Sequence, residues 1–376
     1  MRRGRGVTDG EGAGEVCPRA DFLTLSRPNK LRSGGFWGKI VSVPGIGTYG
    51  GDMIRLGIVG YGNLGRACER IAASKKDTFE LVGIFTRRDP AGMTSPFGTP
   101  FYGQDEIEMF AGKIDVLALC TGSANDLTDL GKRCAAKFNT VDSFDTHARM
   151  REYVADMQAV TEKSGTLALI GIGWDPGLFS LMRAVFGGVL EDGNTQTFWG
   201  KGVSQGHSEA IRKIDGVRRG VQYTIPKEEA LAAARAGRGE GLTTRDKHLR
   251  ECFVVAADGA DKAEIERRIV TMPNYFDEYD TVVHFISEEE FERDHTAMPH
   301  GGFVLRGGSV SGKGCSLEFA LKLESNPDFT ASVLMAYAAA SARLYAAGRR
   351  GALTILDIPA VALTDEDRLD YIAHTL

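Results

Sequence analysis

No stretch of the chain approaches the roughly 18 consecutive apolar residues that a membrane-crossing helix needs, which argues against a helical membrane span. Charge of one sign is also missing. With 45 Lys and Arg against 50 Asp and Glu, the formal charge is −5, and nothing directs the chain to nucleic acid. The six cysteines, Cys17, Cys68, Cys120, Cys134, Cys252 and Cys315, are scattered. None forms a C-x-x-C pair and no His stands at ligand spacing from them, so no metal site is expected. Cys68 and Cys120 sit among core-like neighbours and read as buried free thiols, which suits a reducing cytoplasm rather than a secreted disulfide scaffold. Nothing after about residue 178 resembles a P-loop or a Ser/His/Asp arrangement.

What remains is the profile of an ordinary globular protein. At 376 residues, 43% hydrophobic and 25% charged, the chain suits two or three domains with a large core. Residues 1–52 stand apart: they are rich in Gly and Arg, carry Pro18, Pro28 and Pro44, and have no sustained periodicity. They lack the apolar core of a secretory signal, and Asp9, Glu11, Glu15 and Asp21 disfavour a transit peptide. The expectation is a disordered tail, or an upstream extension from a mis-assigned start, with the working protein beginning near Met53.

The pattern changes at Ile54-Arg55-Leu56-Gly57-Ile58-Val59, an apolar run that ends in Gly60-Tyr61-Gly62-Asn63-Leu64-Gly65 and passes into a helix-compatible segment. G-x-G-x-x-G between a strand and a helix is the order of a dinucleotide-binding βαβ unit. Gly60 permits the tight turn, Gly62 lets the backbone approach a pyrophosphate, and Gly65 lets the helix pack closely on the strand. The helix N-terminus offers free N–H groups and partial positive charge to the phosphates. A second buried strand, Glu80–Phe85, ends about 20 residues beyond the last glycine, where such folds place their ribose reader. An NAD enzyme usually carries Asp or Glu there; this chain has Thr86-Arg87-Arg88, and two guanidiniums with a hydroxyl suit a 2′-phosphate, so NADP is preferred.

Further strands are expected at Asp115–Cys120, Asn139–Asp142 and Thr166–Ile170, alternating with helices at about 125–138 and 150–164. That alternation predicts an α/β, Rossmann-type doubly wound parallel sheet over residues 53–177. The strand ends then converge on one edge, carrying Thr121-Gly122-Ser123 after Cys120, Ser143-Phe144-Asp145, and Ile172-Gly173-Trp174-Asp175-Pro176. Residues 178–327 read as an α+β substrate-binding and dimerisation domain. Residues 328–376 read as a long Ala-rich helix and a last strand over Leu353–Ile358, returning to the first domain. Thr224, Arg250, His300 and Asn326 are the polar residues of interest in the second half; His300 reads as part of a Gly/Pro loop, where a lone His is more often surface than ligand.

Seven stretches in order resemble the meso-diaminopimelate D-dehydrogenase family: Val59–Gly65, Gly83–Arg88, Gly173–Gly177, Thr197–Gly200, Ser204–Ser208, Met298–Gly302 and Asn326–Thr330. The resemblance runs from about Met53 to the C-terminus. It implies a cytoplasmic, homodimeric, NADP-dependent oxidoreductase of lysine and cell-wall precursor metabolism, which deaminates the D-centre of meso-diaminopimelate. It places the cofactor against Gly60 to Gly65, Thr86 to Arg88, Cys120 to Ser123, Ser143 to Asp145 and Ile172 to Pro176. Asp145, Trp174, Asp175, Trp199, Gln205 and Gly206 would hold the D-centre, with Asp145 and Asp175 as acid/base candidates. Thr224, Arg250, His300 and Asn326 would hold the distal L-centre. Glu209, Ser143-Phe144 and Gly171-Ile172 depart from the family pattern, and the N-terminal extension has no counterpart in it. A broad D-amino-acid dehydrogenase and a non-catalytic NADP-binding regulator are the alternatives.

Overall fold

The computed structural model describes residues 53–122, 126–364, 366 and 368–376, within one compact unit. The expectation for residues 1–52 and the cofactor role of Ser123 lie outside the described residues.

Six strands alternate with helices: β1 (Ile54–Val59), β2 (Phe79–Thr86), β3 (Phe101–Gly103), β4 (Val116–Leu119), β5 (Asn139–Asp142) and β6 (Leu167–Ile170). With a final strand, β14 (Gly351–Thr354), they form a seven-stranded sheet in the order β14-β6-β5-β4-β1-β2-β3, every pair parallel. Both faces are covered, which is why the strands read as unbroken apolar runs. Leu56, Ile58, Val116, Ala118, Leu167 and Leu169 point to one face and Leu117, Leu119, Ala168 and Ile170 to the other. Each fully buried Leu or Ile contributes about 1.5–3 kcal/mol.

The first face is closed by helix Asn63–Ser74 and by helix Asn326–Ala346, which packs on that helix and on β4, β5 and β6. Its run of small residues, including Ala338, Ala340 and Ala342, is buried on nearly every side. The expected last strand is shorter than the sequence suggested. The Thr354 N–H donates to Asp357 Oδ2 at 2.8 Å, and this local cap turns the chain into a 3-10 helix at Ile355–Asp357.

Between β6 and helix Asn326–Ala346 lie two further sheets. One is antiparallel, β13-β12-β7, built from β7 (Gly193–Trp199), β12 (His300–Val310) and β13 (Lys313–Leu323). The other, β11-β10-β9-β8, is built from β8 (Gly202–Val203), β9 (Val217–Pro226), β10 (His248–Ala256) and β11 (Asp280–Phe285). The helix Leu178–Val189 follows the last turn of the parallel sheet and packs on β7, β12 and β13. Among the described residues no helix is long and apolar enough to cross a membrane.

Candidate active site

Parallel strands put their carboxyl ends on one edge, and the turns there form the site. At the first turn Gly60 has φ +95°, and a Cβ on it would lie 2.8 Å from the Cys120 carbonyl oxygen. A Cβ on Gly65 would collide with the Gly60 carbonyl. Gly62 differs, because a Cβ there would meet nothing within 4 Å. Its bareness keeps space outside the protein open, as close approach by a pyrophosphate requires. Helix Asn63–Ser74 starts without a side-chain cap, leaving its first amides available to an anion.

Beside this turn a cavity of about 340 Å³ is lined by Tyr61, Thr86, Arg87, Arg88, Thr121 and Gly122, among others. Arg88 Nη2 donates to the Tyr61 carbonyl at 2.7 Å, and the Arg88 N–H donates to Thr86 Oγ1 at 3.1 Å. Arg87 pairs with Asp126 at 2.9 Å, a carboxylate that no motif singles out. Thr121 Oγ1 is buried and has no hydrogen-bond partner among the described residues. An orphaned hydroxyl on the wall of both cavities, a bare glycine turn and two guanidiniums together fit an NADP molecule.

The second cavity, about 630 Å³, shares Gly62, Cys120, Thr121 and Gly122 with the first and continues along Asn63, Leu64, Ser143 and Asp145. Gly173, Trp174, Asp175, Pro176, Gln205, Gly206, His300 and Asn326 complete the predicted residues on its wall. Phe144 and Ile172 are fully buried, and the Phe144 ring stacks on Tyr153 at 4.2 Å. Their side chains are core, so backbone is all they can offer a cofactor. Beneath them Asp142 accepts from the N–H groups of Phe144 and Gly171 and from the Tyr153 hydroxyl, each at 3.0 Å. One carboxylate thus ties the turn carrying Asp145 to the turn carrying Asp175. Burial pushes its pKa up to about 6, against the pull of those hydrogen bonds.

Asp175 is the most constrained carboxylate of the cleft, its side chain only 2% exposed. It accepts from Arg183 Nη2 at 2.6 Å and from Trp199 Nε1 at 2.7 Å. Arg183 is itself held by Thr197 Oγ1 and Ser180 Oγ, each at 3.1 Å. The sequence reading missed Arg183, although a single cation inside the apolar helix LFSLMRAVFGGV was a signal. Trp174 donates through Nε1 to Asn326 Oδ1 at 2.9 Å, and its ring lies 4.9 Å from that of His300.

Trp199, Thr224 and Arg250 do not line the main cavity. Arg250 and Thr224 are buried behind it, cross-strand neighbours on β10 and β9, with an Arg250 Nη1 to Thr224 Oγ1 hydrogen bond. The guanidinium stacks 3.8 Å from the Tyr279 ring centroid, and its Nε has no partner among the described residues. His300, expected in a surface loop, begins β12 and is buried. Its Nδ1 lies 2.8 Å from the Gly301 N–H and 3.1 Å from the Gly301 carbonyl oxygen. Burial and the nearby Arg250 charge hold its pKa below the ordinary value. His248, also missed, accepts from the Trp199 N–H through Nε2 at 3.0 Å, and burial takes its pKa down to about 3.

A parallel sheet with a glycine turn for pyrophosphate, a basic pocket beyond β2, and an adjoining cleft with fixed carboxylates define a dinucleotide-dependent oxidoreductase. The family model described as the diaminopimelic acid dehydrogenase C-terminal domain matches residues 173–325. Meso-diaminopimelate D-dehydrogenase of Lysinibacillus sphaericus is 54% identical over 307 residues, covering 81% of this chain and 94% of that protein. The crystal structure of the Corynebacterium glutamicum enzyme in complex with diaminopimelate superposes with a TM-score of 0.79 at 43% identity, covering 86% of this chain and 99% of the other. An engineered D-amino-acid dehydrogenase bound to NADP+ gives a TM-score of 0.76 at 42% identity over 86% of this chain and all, 100%, of its own. The chain belongs to the meso-diaminopimelate D-dehydrogenase family.

Proposed function

We propose that this protein oxidatively deaminates the D-centre of meso-2,6-diaminopimelate with NADP+. The products are L-2-amino-6-oxopimelate, ammonia and NADPH, with water consumed, and the reaction belongs to lysine and cell-wall precursor metabolism. The observation that carries the reading is Asp175, a buried carboxylate clamped by Arg183 and Trp199 on the wall of the cleft that begins at the glycine turn. When bound, NADP+ supplies the acceptor for the hydride leaving the D-carbon. The residues then have separable tasks. Asp175 and Asp145, both on the wall of the cleft, accept from the reacting ammonium and orient its carbon. Gln205 and Gly206 take the adjacent carboxylate. At the far end Arg250 is suited to bind the distal carboxylate, with Thr224 and neutral His300 as further donors. Water completes the step by hydrolysing the substrate imine. Reading both ends selects meso over the LL and DD isomers, because a wrong centre leaves buried polar groups unpaired at about 1–3 kcal/mol each.

Arg250→Met should remove turnover of meso-diaminopimelate while leaving NADP affinity within twofold; unchanged kinetics would refute the distal-carboxylate role. A homodimer is supported by the apolar helix Leu178–Val189, whose Val185 and Val189 remain exposed beside exposed Leu356. Sedimentation at micromolar concentration tests it, and a monomer would overturn it. A cytoplasmic location is supported by the buried free thiols Cys68, Cys120, Cys134 and Cys252.

A further inference from the structure

The segment Ser204–Ser208 contains a Ser–His pair that the reaction above does not use. Ser204 stands at the N-cap of helix Gln205–Arg212, the position from which a serine ordinarily accepts from the amides of the first turn. Here it makes no such bond. Its Oγ instead lies 2.8 Å from Nδ1 of His207. Consequently the N–H groups of Gln205, Gly206 and His207 have no hydrogen-bond partner among the described residues.

Which atom donates in the Ser–His hydrogen bond depends on the tautomer of the ring, and the ring is enclosed. Tyr275, Phe276 and Tyr279 pack edge-on around the imidazole, with centroids at 5.3, 5.4 and 6.5 Å. A neutral ring is what such burial favours, and the charge of Arg250 adds to it, so the pKa falls to about 4. Placing the one proton of the neutral ring on Nε2 leaves Nδ1 to accept the Ser204 hydroxyl proton. With its proton committed, Ser204 Oγ has only lone pairs to offer the cavity whose wall it shares with Asp175, Gln205 and Gly206.

We propose that His207 is a positioning residue that holds Ser204 as an acceptor-only group. The helix amides thereby stay open for the carboxylate of the reacting amino-acid end, and Ser204 Oγ receives its ammonium. This rests on the amino-acid substrate proposed above. Capping by Ser204 and binding of the carboxylate compete for the same N–H groups, and His207 decides the competition. Ser204 is thus a further substrate-contacting residue.

Steady-state kinetics with meso-diaminopimelate, together with NADP+ titrations followed by fluorescence, test this on the full-length protein. Turnover by the unaltered chain is the first arm, and its absence would overturn the substrate reading rather than the role of His207. His207→Phe keeps a ring in the aromatic cage but removes the acceptor, so KM for the substrate should rise about tenfold. NADP+ affinity should stay within twofold. His207→Asn, whose amide oxygen can stand near the Nδ1 position, should recover most of the loss. Ser204→Ala should cost a similar factor, and the double variant Ser204→Ala with His207→Phe should be no worse than either alone. Additive losses, an unchanged KM in His207→Phe, or equal loss of NADP+ affinity would each overturn the proposal. If His207→Phe does not fold, Ser204→Ala against His207→Asn decides it: a tenfold KM effect confined to the serine variant supports the proposal, and equal values refute it.

Discussion

Two alanine substitutions three residues apart separate what the glycine turn does for the fold from what it does for the cofactor. At Gly65 a methyl group would run into the Gly60 carbonyl, with Cys120 Cβ 3.6 Å away, so helix Asn63–Ser74 has to move off β1. Overpacking of this kind typically costs about 1–3 kcal/mol, and Gly65→Ala should unfold at visibly lower denaturant. At Gly62 the methyl would meet no protein atom within 4 Å. Losing glycine at the N-cap costs a few tenths of a kcal/mol to about 1, while the stiffer unfolded chain returns about 0.4–1. Gly62→Ala should therefore match the unaltered chain in stability. The methyl would instead occupy the space a pyrophosphate needs, and KM for NADP+ should rise at least tenfold, equivalent to about 1.4 kcal/mol. Urea unfolding alongside NADP+ kinetics for both variants is the assay. An unaffected KM in Gly62→Ala, or a loss of stability equal to that of Gly65→Ala, would refute the placement of the phosphates.

Arg183→Met leaves Asp175 buried without its cation. Breaking a buried pair costs about 3–5 kcal/mol; since Arg183 is 30% exposed, about 2 kcal/mol is expected, with a higher KM for the amino-acid substrate, by chemical denaturation and kinetics. Asp142 has a pKa of about 6 in the fold, above an unfolded value of about 3.9. The folded chain therefore binds the extra proton between those values, and this group's contribution to stability rises as pH falls from 6 toward 4. Relative to the unaltered chain, Asp142→Asn should lack that gain; parallel pH–stability curves for the two would contradict it.

The parts of the structure legible in the sequence are those set by short-range spacing. The glycine turn, the Arg87-Arg88 pair and the helix Met150–Ser164 each declare themselves within a dozen or so residues, and all appear at the expected positions. Pairings across long separations were not legible. Trp174 meets Asn326 across 152 positions, and Trp199 meets Asp175 across 24. His248 and Asp126 take their meaning only from such contacts, with Trp199 and Arg87. Phe144 lies in a cofactor-turn segment, and its ring is turned into the core against Tyr153. His300 looked exposed between Pro299 and glycines, but β12 starts at that residue and buries it against Trp174.

NADPH formation with separated meso, LL and DD isomers of diaminopimelate, and with D-alanine, tests the central claim most directly. The account predicts rapid turnover of the meso isomer and at least tenfold lower kcat/KM for each of the others. Equal kcat/KM for D-alanine and the meso isomer would contradict recognition of both ends, and no turnover of any of the four would contradict the proposed reaction.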